Sequence, residues 1–172
     1  MKLLTLILCL AFSFFEWFIL RDTNAGYQVK LPSTPKISKD SLETDLGLIY
    51  LDSYMVSEGE DNQSIIYLVN HTQYPSDIDF NDESDSSSFF ICQTIEDQLT
   101  EQLHGEKVYS SASQMGGVPS RIFLIRYGED SSVVKMAVIP FKNHLVSLQY
   151  FSNYHQRLSN DAERFFNSFS LL

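Results

Sequence analysis

The chain has 172 residues and a formal net charge of −10 at neutral pH, from 22 acidic residues against 12 Lys and Arg. That balance argues against a protein held to nucleic acid or anionic lipid by charge, since both demand a basic surface. The length is that of one ordinary domain, able to bury about two thirds of its unfolded surface without a disulfide.

The first 25 residues read as an export signal. Lys2 supplies a positive start, Leu3 to Phe15 is a nearly unbroken apolar run, and Thr23-Asn24-Ala25 precedes Gly26 as a small-residue cleavage site. Glu16 and Trp17 interrupt the run, which resumes as Phe18-Ile19-Leu20 before Arg21. A spanning helix needs about 20 mostly apolar residues, so residues 3–20 as an uncleaved anchor are the alternative. Cys9 lacks the small preceding residues of a lipidation site, because Leu6-Ile7-Leu8 stands there. Residues 1–25 are thus expected to form a signal or anchor helix, and residues 26–172 one exported domain, periplasmic or secreted. After cleavage Cys92 is the sole cysteine, and one thiol cannot close an internal bridge.

The domain opens with a predicted strand at Tyr27–Leu31, ended by Pro32 and Pro35. Ile37–Thr44 reads as an edge strand. Leu48–Val56 alternates, with Leu48, Tyr50, Asp52, Tyr54 and Val56 on one face, and Ser64–Thr72 alternates likewise through Ile65, Tyr67 and Val69. The intervening residues 58–62 have turn chemistry, so the two strands form a hairpin. An acidic, serine-rich stretch, residues 76–88, then leads into a helix whose Ile91, Ile95, Leu99 and Leu103 recur every four residues. Gln93, Glu96, Asp97, Thr100 and Glu101 fall on its expected wet face, and Gly105 ends it.

Four strands follow: Lys107–Ser113, Ser120–Tyr127, Val133–Phe141 and His144–Phe151. The strand with Ile122 and Leu124 opposite Phe123 and Ile125 is expected to be covered on both faces, and the last strand to be half-exposed. A closing helix starts near Ser159 or Asn160 and carries Ala162, Phe165, Phe166 and Phe169 as its apolar stripe. The expected class is α+β: an antiparallel sheet flanked by two main α-helices, preceded by the N-terminal signal or anchor helix.

No catalytic, cofactor or metal residue is assigned from the sequence. The acidic loop 77–85 begins D-x-D-x-N at Asp77, Asp79 and Asn81, like a calcium loop. Asp82 and Ser88 then stand where the glycine and the bidentate glutamate belong. A solvated loop capping the next helix is the preferred reading, with a calcium-binding or enzymatic module as the alternative. Cys92 borders the apolar stripe and reads as a buried structural thiol. His71, His104, His144 and His155 show no metal-binding spacing, and His71 and His155 read as surface residues. Asn62 and Asn70 open N-glycosylation tripeptides, frequent by chance and given no weight.

The C-terminal half carries a family resemblance. Gly117-Val118-Pro119-Ser120-Arg121, the strand Val134–Phe141, His144-Leu145-Val146-Ser147-Leu148-Gln149-Tyr150 and the closing Phe165–Leu171 resemble the PsbP-like domains. Val29-Lys30-Leu31-Pro32 with Pro35 resembles their opening. Ser120 and Ile122 depart from the family's turn, which has a glycine and an acidic residue there. The resemblance implies an antiparallel sheet sandwiched by helices, in a fold whose members act as accessory subunits, assembly factors or partner-binding modules. The expected function is a non-enzymatic accessory domain. Its expected partner is another envelope or secreted protein, with membrane contact only through an uncleaved N-terminus.

Overall fold

The computed structural model describes residues 16–59, 64–81, 87–129 and 132–172. Strands dominate. The first hairpin joins β1 (Phe18–Asp22) to β2 (Tyr27–Leu31), and a two-residue strand near the C-terminus, β10 (Ser170–Leu171), flanks β2 on its other side. The second sheet holds seven antiparallel strands. They are β3 (Lys36–Thr44), β4 (Gly47–Glu58), β5 (Ile65–Gln73), β6 (Glu106–Met115), β7 (Val118–Tyr127), β8 (Ser132–Phe141) and β9 (His144–Asn153), in the spatial order β3-β4-β5-β9-β8-β7-β6.

Helix α1 (Ser87–Gln102) lies on one face of the large sheet. The small sheet and the eight-residue helix α2 (Asn160–Asn167) cover the other. Two cores result. Between the sheets, Tyr27, Val29, Leu31, Tyr67, Val69, Leu148, Tyr150 and Phe165 are almost wholly buried. Under α1, Phe123, Ile125, Val134, Met136 and Val138 are buried, with Cys92 among them and Ile91, Ile95, Leu99 and Leu103 packed above.

The expected α+β class is therefore corrected: the fold is mainly β, with sheets of three and seven strands and only α1 and the short α2 as α-helices among the described residues, and β1 stands where the end of an N-terminal helix was expected. The reason begins at the N-terminus. Residues 1–15 lie outside the described residues, but Phe18–Asp22 is a strand rather than the end of a helix. Its burial alternates, Leu20 inward and Ile19 and Arg21 outward, as a pleated strand requires. What looked like a resumed apolar run is a β-branched and aromatic strand with one buried face. The Thr23-Asn24-Ala25 segment is its hairpin turn. Asp22 Oδ1 accepts the N–H groups of Asn24 (3.0 Å) and Ala25 (2.9 Å), and Gly26 takes φ +82°, which a glycine adopts without strain. Trp17, Leu20 and Ala25 belong to the inter-sheet core.

Two smaller corrections concern exposure. His144 to Tyr150 is buried throughout, not half-exposed, because β9 is the central strand and both its faces are covered. Glu96 is 1% exposed rather than on the wet face of α1. Arg121 reaches its Oε2, Ser110 Oγ donates to the same oxygen at 2.9 Å, and Lys107 Nζ lies 3.3 Å from Oε1. Paired in this way, the carboxylate tolerates burial. Elsewhere the strand and helix positions agree with the expectation to within a few residues. Ser159 caps α2, accepting the Ala162 N–H at 3.1 Å.

Candidate functional site

At one end of the inter-sheet core a row of polar side chains interrupts the apolar face. The register opposes Lys39 on β3 to Asp52 on β4, and Asp52 to His71 on β5. Directly opposed residues of antiparallel strands share a face, so these three side chains form a line across the sheet, facing β1 and β2. His144, at the start of β9, opposes Gln73 and lies diagonally across from His71. The small sheet contributes Asp22, whose Oδ1 holds the β1–β2 turn while its Oδ2 faces His71.

His71 Nε2 and His144 Nδ1 are 3.0 Å apart, a hydrogen bond between two buried imidazoles. His71 Nδ1 lies 3.6 Å from Asp22 Oδ2, beyond good hydrogen-bond range. The atoms through which Asp22, Asp52 and His71 could ligate all fall within 4.8 Å of one another. Lys39 Nζ sits on Asp52 Oδ2, and Tyr54 donates to that oxygen at 3.4 Å. Beneath them Tyr27 stands edge-on to His71, with ring centroids 5.5 Å apart, its hydroxyl buried without a hydrogen-bond partner among the described residues. Outside lies a polar cleft of about 310 Å³, lined by Arg21, Asp22, Asn24, Lys39, Asp52 and His71 among others.

Burial sets the electrostatics. It lowers the pKa of His71, with Asp22 and Asp52 pulling the other way, and that of His144, where His71 adds to the effect. Both rings are therefore neutral at neutral pH. Burial, with Tyr54 and the two carboxylates behind it, pushes the Tyr27 hydroxyl far up. The hydrogen bond to Asp52 raises the Lys39 ammonium, which stays charged. The site thus combines neutral imidazoles with two carboxylates and can receive a cation or a hydrogen-bonding group.

The residues singled out in the sequence lie elsewhere. Asp77 and Asp79 are exposed, Asp79 Oδ1 accepting the Asn81 N–H at 2.9 Å, and residues 82–86 lie outside the described ones. Cys92 is buried, its Sγ 3.8 Å from the Val138 carbonyl, and burial pushes its pKa to about 11. His104 and His155 are exposed, whereas His71 is buried, contrary to its surface reading, and meets His144 73 positions away. Asn70 lies within β5, and Asn62 falls outside the described residues. A signal was available. Asp52 shares its strand face with Tyr54 and Val56, His71 with Tyr67 and Val69, and His144 with Val146 and Leu148. A polar residue in phase with an inward apolar stripe marks a place where polarity is buried.

No protein-family model matches the chain, and no curated protein sequence matches it. Solved structures do. The solution structure of cyanobacterial PsbP (CyanoP) from Synechocystis sp. PCC 6803 aligns over 95% of this chain and 97% of its own, with a TM-score of 0.53 at 12% identity. LpqN of Mycobacterium tuberculosis, described as involved in cell envelope biogenesis, aligns over 81% and 86% with a TM-score of 0.50 at 14% identity. The chain has the PsbP-like fold.

Proposed function

We propose that this chain is a non-enzymatic accessory domain that works outside the cytoplasm, docking another envelope or secreted protein. The observation that carries the reading is the β3–β4 hairpin. It exposes Ile37, Leu42, Leu46, Leu48 and Tyr50, each at least 41% accessible, where a chain this acidic would ordinarily place polar side chains. Ile37, Leu48 and Tyr50 lie on the Asp52 face and Leu42 on the other, and contiguous exposed apolar groups such as Leu48 and Tyr50 mark interaction surfaces. In addition, β3 is an edge strand whose outer ladder has no partner strand among the described residues. Tyr50 and Leu48 share the face of Asp52, so a protein seated there also covers the mouth of the polar cleft.

Two further features support the reading. The apolar run Leu3–Phe15 suits export, and because Trp17, Leu20 and Ala25 are in the inter-sheet core, processing ahead of Trp17 is the version that keeps the domain whole. The Cys92 thiol, protonated at neutral pH and enclosed under α1, is a poor nucleophile. The share of LpqN in cell envelope biogenesis agrees with an envelope setting.

The test is a photo-crosslinking residue placed at Tyr50 and, as a control, at Gln93 on the exposed side of α1, in living cells. A discrete adduct is expected from position 50 and none from position 93. A folded protein giving no adduct at 50, or found in the cytoplasm, sinks the reading.

A further inference from the structure

We infer that Asp22, Asp52 and His71 form a binding site for a divalent transition-metal ion of the zinc class, with His144 as the outer support. The first argument is spacing. Two ligands about 2.1 Å from a tetrahedral ion lie roughly 3.4 Å apart. His71 Nδ1 and Asp22 Oδ2 are 3.6 Å apart, too long for a hydrogen bond and close to that value. The third ligand atom, from Asp52, lies within 4.8 Å of both.

The second argument is the imidazole's other nitrogen. Metal-ligating histidines almost always donate their second N–H to a fixed acceptor, which orients the ring and sets the tautomer. His71 Nε2 meets His144 Nδ1 at 3.0 Å, and the tautomer that donates there leaves the Nδ1 lone pair turned toward Asp22. The third comes from Tyr27, beside the ligands. The Tyr27 hydroxyl is fully buried and lacks a partner among the described residues, its ring set against His71. A water on the ion's open position is a partner of the kind it lacks. Asp22 and Asp52 are 16% and 20% exposed, enough for an ion to enter from the cleft.

The donor set selects the ion. An imidazole with two carboxylates suits borderline metals, whereas calcium takes six to eight oxygens and magnesium keeps most of its waters. Lys39 decides the rest. Its ammonium occupies Asp52 Oδ2, and with the lysine 66% exposed on a flexible stem, an arriving dication can displace it.

The experiment is calorimetric titration of the full chain with zinc, and cobalt(II) substitution followed by its visible d–d bands, with calcium and magnesium as competitors. One zinc ion per chain is expected, cobalt bands of a low-coordinate N/O site, and no displacement by either competitor. Asp52→Asn or Asp22→Asn should weaken zinc by more than about 100-fold, and His144→Gln by about 10–100-fold. Lys39→Met should tighten it by about tenfold, because the competing cation is gone, an effect that a merely structural lysine does not produce. Circular dichroism keeps unfolded variants out of the comparison. No binding by the folded wild-type chain, or binding indifferent to Asp22→Asn and Lys39→Met, overturns the assignment.

Discussion

Replacing Leu20 by alanine separates a leader from a strand. If residues 16–25 are only a leader, the substitution touches nothing in the folded domain. If they are β1, it empties a side-chain site in the inter-sheet core. Leu20 is 7% exposed, and a buried Leu→Ala change costs about 2–5 kcal/mol from lost transfer energy plus the residual cavity. Near the middle of that range the loss is about 3 kcal/mol, a large part of the roughly 5–15 kcal/mol that holds a typical domain folded. For a chain of this size it lowers the melting temperature by roughly 6–12 °C. Trp17→Ala should cost at least as much, since Trp17 packs edge-on to Tyr67 at 6.2 Å and under the Arg164 guanidinium at 4.5 Å. Ile19, 52% exposed on the same strand, is the internal control, and its alanine variant should stay within about 0.5 kcal/mol of wild type. Urea unfolding of a chain beginning at Glu16 measures all three. A Leu20→Ala cost no larger than that of Ile19→Ala refutes the reasoning.

Three other outcomes follow from the same structure. Arg121→Met should destabilise by about 3–5 kcal/mol, because it leaves the Glu96 carboxylate, 1% exposed, without its main partner; adding Glu96→Leu should restore most of the loss in a double-mutant cycle by urea melts. Burial lowers the pKa of His71 and His144 in the fold, so the unfolded chain binds more protons once the pH drops toward about 6.5. Stability is then complete above that pH and falls below it, by about 1.4 kcal/mol per unit for each imidazole, and His144→Gln should flatten the fall. Cys92, with its thiol at about 11, should resist a thiol reagent at neutral pH in the native state and react promptly in denaturant.

Most strand and helix positions were legible because period-2 and period-4 patterns report burial directly. The hairpin of β4 and β5, the Lys142-Asn143 turn and the stripe on α1 all follow from local pattern. The fold class was not legible, because β1 continues an apolar run that export signals also use. Only its alternation and the turn formed by Asp22, Asn24 and Gly26 distinguish it. Glu96 misled for a related reason: on a helix wheel it belongs to the polar face, and its partner Arg121 comes from β7, 25 positions away. The site was hidden by distance in sequence: Asp52, His71 and His144 come from three strands and meet through sheet register, and Asp22 reaches them from β1 of the other sheet. Each nevertheless left a trace, a polar residue in phase with an inward apolar stripe or beside a tight turn.

The site exists only if Asp22 stays in the working protein, so the most direct measurement is the intact mass of the chain recovered from its cell. The account predicts an N-terminus at or ahead of Glu16, with Trp17 through Ala25 retained. A mature chain beginning at Gly26 contradicts it, removing β1, one carboxylate and the hairpin that positions the site.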